Sequence, residues 1–214
     1  MKLSNIAKIV LIALFVFCTN SYILAKTKKT IKPYTRYMGT YNLYLPTAKP
    51  RTSYGYLSDD GDTNMFISQA LMNSTLELSY LKHVSGDYKD KNVINCKIPL
   101  LNEGNFVPSI VWGASDITKE VIDKRIYYFA ASKSIDTFGI TFMGGFYKDP
   151  AQSHRKSFYG VNKVIFPLVS VAAECENNVM TYGLKLSPVP GLEVSFAQRN
   201  GSDNLYGITY NATY

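Results

Sequence analysis

Two histidines, His83 and His154, are the only imidazoles in this chain of 214 residues. A hydrolase built on a Ser/His/acid arrangement would have to use one of them as its base. Neither stands in a nucleophile motif, and no G-x-S-x-G occurs. His83, beside Lys82 and Ser85 and close to a glycine, reads as a solvated loop edge. His154 lies in Gln152-Ser153-His154-Arg155-Lys156, a basic hairpin tip whose cations would attract phosphates or an anionic glycan at low salt. Asp59, Asp60 and Asp62 crowd around Gly61, but a calcium loop needs more oxygen ligands and a distal Glu, so the stretch reads as a polar turn. Glu174 and Glu176 flank Cys175, and a carboxylate pair would be the minimum for glycosidase chemistry. No Cys-x-x-Cys or Cys/His spacing points to a metal, and no cofactor motif is present. Four further charges stand out by their neighbours: Glu77, Lys185, Glu193 and Arg199 each sit inside an apolar, alternating run.

Those runs are the elements that position everything else. Beyond residue 50 the chain breaks into segments with period-2 alternation, bounded by Gly, Asn, Asp and Pro clusters. Phe138, Ile140, Phe142, Gly144 and Phe146 share one face, against Gly139, Thr141, Met143, Gly145 and Tyr147. Leu192, Val194 and Phe196 oppose Glu193, Ser195, Ala197 and Arg199. Tyr206, Ile208, Tyr210, Ala212 and Tyr214 oppose Gly207, Thr209, Asn211 and Thr213. Turn chemistry falls between them, at Asp59–Asp62, Met72-Asn73-Ser74, Asn102–Asn105, Glu176-Asn177-Asn178, Pro188–Gly191 and Asn200–Asp203. About ten to twelve strands result. The stretch Thr118 to Lys124, the one helical candidate, is better read as a loop insertion.

The N-terminus reads as a signal peptide over residues 1–25: Lys2 and Lys8 precede the apolar run Ile9 to Phe17, and Ile23-Leu24-Ala25 offers a cleavage site. Residues 26–42 follow as a basic leader, and residues 43–214 carry the strands. Export leaves Cys96 and Cys175, which fall on strands far apart in sequence and read as unpaired apolar fillers. It also removes nucleic acid as a partner for the net charge of +7.

An all-β exported chain with one apolar and one polar face per strand is either a soluble sandwich or lipocalin-like barrel, or an antiparallel transmembrane β-barrel. The longer runs, 74–84, 105–115, 137–147 and 204–214, match the ~9–11 residues that cross a bilayer at a tilt of ~45°. The last strand is aromatic to its end, which resembles the terminal strand read by the outer-membrane barrel-assembly machinery. We therefore expect an outer-membrane barrel, with Glu77, Lys185, Glu193 and Arg199 in its lumen and His154, Arg155 and Lys156 in a basic loop facing lipopolysaccharide. So few strands favour a filled interior over an open pore. Tyr54, Tyr56, Tyr127, Tyr128, Tyr147, Tyr206 and Tyr214 would form the lipid-facing and interfacial aromatics.

Several segments also resemble a known family. Tyr44-Leu45-Pro46-Thr47-Ala48-Lys49, the stretch Ile98 to Ile110 with its Leu-Leu-x-Glu-Gly turn, Gly113 with Asp116, Tyr128-Phe129-Ala130-Ala131-Ser132-Lys133 and the hairpin from Tyr182 to Phe196 resemble, in this order, YjbH-like outer-membrane proteins. The resemblance covers residues 43–214 and implies a short, single-barrel member without catalytic residues. It further implies a role supporting export or assembly of a surface exopolysaccharide, with polysaccharide-export components as partners. The readings from other classes are a soluble periplasmic glycan- or lipid-binding β protein and an outer-membrane lipid- or sugar-modifying enzyme using His83 or His154.

Overall fold

The computed structural model describes residues 51–59, 61–71, 75–121, 125–148 and 155–213. The expected signal peptide and leader, residues 43–50, His154 and Tyr214 lie outside these residues.

Twelve antiparallel strands close into a barrel. They are β1 (Arg51–Asp59), β2 (Asp62–Leu71), β3 (Leu76–Ser85), β4 (Asn92–Leu101), β5 (Ser109–Ser115), β6 (Ile126–Ile135), β7 (Ile140–Lys148), β8 (Arg155–Phe166), β9 (Val169–Glu176), β10 (Val179–Val189), β11 (Leu192–Arg199) and β12 (Asp203–Thr213). Each pairs with its sequence neighbours, and β1 pairs with β12 over nine residues from Arg51↔Thr213 to Asp59↔Leu205. Closure leaves no sheet edge with unpaired backbone groups, the condition for strands to stand in hydrocarbon. It also excludes the sandwich expected as one alternative.

A ten-residue strand rises about 33 Å and, tilted by about 45°, spans about 23 Å, close to the apolar band of such barrels. The wall faces divide accordingly. Outward side chains are apolar and half exposed, among them Tyr54, Ile67, Tyr80, Phe142, Phe196 and Ile208. Inward side chains are small, polar or charged, with a main apolar cluster of Leu81, Val93, Val111, Ile126, Tyr128, Ala130, Tyr147 and Phe158 and a small one of Met143 and Ala172. A soluble lipocalin-like barrel would reverse this arrangement.

Four expectations need correction. The run 105–115 is strand only from Ser109, because residues 102–108 form a loop. Phe138 does not continue the β7 face: Asp136–Phe138 is a 3-10 turn closed by Gly139 at φ 58°, a left-handed conformation suited to glycine. Tyr128 and Tyr147 point inward and are 1% and 0% exposed; Tyr127 and Tyr128 are adjacent on one strand, so they cannot share a face. His83 is no solvated edge residue, as it is 1% exposed on the inner face of β3 and covered by the Tyr88 ring at 5.8 Å. The expected insertion is loop as far as Val121, where the Asp116 carboxylate accepts the Glu120 and Val121 N–H groups at 3.0 and 3.1 Å; residues 122–124 lie outside the described residues.

Candidate functional site: the barrel interior

The interior is built on a repeated local device. Gly55 faces Phe66, Gly113 faces Tyr128, Gly145 faces Phe158 and Gly207 faces Leu57, each across a direct cross-strand pair. At each of these glycines an added Cβ would run into the facing large side chain. A missing side chain on one strand thus leaves room for a ring or branched chain from the next to lie flat across the wall, which fills the lumen without widening the barrel.

Between these layers run the charges. Lys97 Nζ on β4 stands 3.0 Å from Glu77 on β3, with side chains only 4% and 6% exposed. Arg199 on β11 reaches across β12 to β1, where its two terminal nitrogens donate to both oxygens of Asp59 at 2.8 and 2.5 Å. It also donates to Asp203 at 3.1 Å. This fork spans the seam where first and last strands close, and bidentate geometry makes it the strongest kind of pair available. Lys185 on β10 meets Glu193 on β11 at 2.8 Å, nearer the rim and more open. The Tyr147 hydroxyl donates to Glu176 at 2.7 Å. Polar groups without charge are matched too: Asn95 donates to Ser79 and accepts the Asp116 N–H, and the Ser109 and Ser132 hydroxyls lie 2.6 Å apart.

All four anticipated lumen charges therefore face inward, but in three separate places rather than one constellation. Each holds a specific partner, and three of those partners were missed: Lys97, Asp59 and Asp203. The signal for Lys97 was there, since it stands directly across from Glu77 in the β3–β4 register; Asp59 and Arg199 are 140 residues apart, beyond any local pattern. The basic loop divides. Arg155 opens β8 facing outward, its guanidinium 5.5 Å from the centre of the Phe146 ring, while Lys156, next along the strand, turns inward and is 4% exposed. In the acidic turn Asp59 is taken by Arg199, and Asp60 lies outside the described residues. Glu174 and Glu176 both line the interior, with Glu176 engaged by Tyr147. Cys96 and Cys175 are free thiols on β4 and β9. Among the described residues no group of three or more His, Cys, Asp or Glu could hold a metal ion.

This arrangement can neutralise and fill a lumen; among the described residues it presents no accessible nucleophile–base pair. Its outline matches solved barrels. A KdgM porin in complex with disordered oligogalacturonate superimposes with a TM-score of 0.53 at 13% identity, covering 77% of this chain and 99% of that one. A second KdgM porin structure gives 0.51 at 12% identity over the same shares. No family model matches the chain, and no curated protein matches it by sequence. At such identities the likeness shows the fold alone: a closed, antiparallel barrel of the porin type.

Proposed function

We propose that the protein is a non-enzymatic outer-membrane barrel with a filled interior, serving export or assembly of a surface exopolysaccharide. One observation carries the membrane and filled-interior reading: the charged side chains Glu77, Lys97, Asp59 and Arg199 are paired and at most 6% exposed inside the wall, while tyrosines, phenylalanines and isoleucines stand half exposed outside it. An aqueous pore keeps its lumen charges hydrated; buried, paired ones close it. The large exposed apolar belt is stable against lipid and would aggregate in water.

The rim bearing the chain ends faces the periplasm in this reading, as short turns do, and the β3–β4, β5–β6 and β7–β8 loops face outward. Lys82, Lys148 and Arg155 then stand on the lipid side of the outer rim, where lipopolysaccharide phosphates would meet them. The exopolysaccharide role rests on the YjbH-like motifs, and with it the polysaccharide-export partners; the terminal strand is the part offered to the assembly machinery. The oligogalacturonate bound by one KdgM porin makes an acidic oligosaccharide the first probe to try.

Purified protein in planar bilayers is expected to show heat-modifiable gel mobility and no steady conductance, with or without oligogalacturonate. Steady openings would overturn the filled interior. A deletion strain that keeps its full surface polysaccharide would overturn the export role, leaving the membrane assignment intact.

A further inference from the structure

The two rims of the barrel differ in kind. At the outer rim the described turns are polar or charged, as at Gly86–Lys91, Asn177-Asn178 and Asn200–Ser202. At the rim that carries the chain ends, successive hairpins present Phe106, Phe138, Phe166, Leu168 and Val189, all at least 49% exposed and Phe106 at 95%. Such exposure is unusual for phenylalanine, whose burial is worth roughly 1.5–3 kcal/mol.

The Phe106 loop is also tied to β6. β5 has seven residues where β4 and β6 have ten, so the pairing of β6 with β5 stops at Ser132. Glu103 takes the place of the missing strand: its carboxylate accepts the Ser134 N–H at 2.6 Å and a proton of Lys133 Nζ at 3.1 Å. Lys133 also donates to the Gly104 carbonyl at 2.7 Å, and Gly104 N–H donates to the Val107 carbonyl at 3.0 Å. Lys133 lies on the outward face of β6, in line with Phe129 and Tyr127, so Glu103 neutralises a cation that would otherwise face lipid.

From this we infer that the β4–β5 loop is a membrane anchor, seating Phe106 in the headgroup–acyl boundary of the phospholipid leaflet around the chain-end rim, with Glu103 and Lys133 as its latch. The occupant is lipid because the apolar rim runs over consecutive hairpins and continues up the outer wall through Leu100 and Leu101, 55% and 42% exposed. An arc over four consecutive hairpins, from β4–β5 to β10–β11, is met along its whole length by a bilayer and only at one place by a protein. The inference rests on the outer-membrane reading.

The chain's single tryptophan makes the test internally controlled. Trp112 lies on the outward face of β5, stacked on Tyr127 at 5.9 Å. In vesicles of phospholipid brominated along the acyl chain, native Trp112 fluorescence is expected to fall by about half or more. The indole introduced by Phe106→Trp, with Trp112→Phe, should be quenched comparably by lipid brominated near the headgroup and resist aqueous acrylamide. Adding Glu103→Ala should reverse that preference, with heat-modifiable mobility confirming the fold. Quenching of Trp112 by bromine, together with acrylamide quenching and no bromine quenching at position 106, overturns the anchor and leaves the barrel reading standing; a periplasmic protein would then be the occupant. Failure of bromine to quench Trp112 overturns the membrane reading itself. Unchanged quenching after Glu103→Ala removes the latch.

Discussion

Glu77–Lys97 and Glu103–Lys133 are ion pairs of nearly equal length, 3.0 and 3.1 Å, in one wall; the first joins the neighbouring strands β3 and β4, the second ties the β4–β5 loop to β6. The first is almost wholly buried in the lumen; the second is about one-third exposed at the rim. Length says nothing about what each does. In the interior, two charges have lost water, so removing either partner takes from the other a countercharge that water does not replace; at the rim, water replaces whatever is lost. The inner pair specifies how strands and lumen side chains fit, whereas the outer one positions a loop.

The difference can be broken at its strong end first. Lys97→Met leaves Glu77 buried without its cation and is expected to destabilise the barrel by about 3–5 kcal/mol, read as a lowered urea midpoint in detergent. Glu77→Leu together with Lys97→Met should recover most of that loss; a double variant as unstable as the single would show that the charge is not the cause. The glycine device comes next. Gly113→Ala forces its methyl into the Tyr128 ring and should cost about 1–3 kcal/mol. Adding Tyr128→Leu should rescue it, and additivity of the two losses would refute the fit described above.

Glu103→Gln is the weak end. It keeps an acceptor for Ser134 N–H, so the global midpoint should move by less than about 1 kcal/mol. The pH dependence is local. Partial burial alone would raise the Glu103 pKa, but the Ser134 N–H and Lys133 outweigh it and hold the carboxyl below its ordinary value. A lowered folded-state pKa means the latch contributes fully above the ordinary carboxylate value and is lost as pH falls through the lower, folded one. Hydrogen exchange at the Ser134 amide should therefore quicken, relative to β7 amides, only on acidification below about pH 4.5. Equal protection across that range would dismiss the latch as a pH-sensitive contact.

Much of the architecture was legible in the chain. Alternation such as Leu192/Val194/Phe196 against Glu193/Ser195/Arg199 sets a two-residue period that only strands satisfy, and Asn-Gly and Pro-Gly punctuation set their number. The faces of Glu77, Lys185, Glu193 and Arg199 followed from the same period. His83 was misread because Lys82, Ser85 and Gly86 suggest a wet edge, while the ring that covers it comes from the following loop. Tyr128 and Tyr147 were misread because aromaticity alone does not tell lipid from lumen; for Tyr128 the glycine across the next strand does, and Tyr147 follows as its direct cross-strand partner.

Composition and periodicity by themselves determined that this chain forms long, two-faced antiparallel strands, because side-chain direction on a strand depends only on residue parity. Only the closed barrel decided which charges meet, since Asp59 and Arg199 come together when the last strand pairs with the first. Closure likewise decided that the inward face is walled off from solvent, which turns isolated charges into obligate partners.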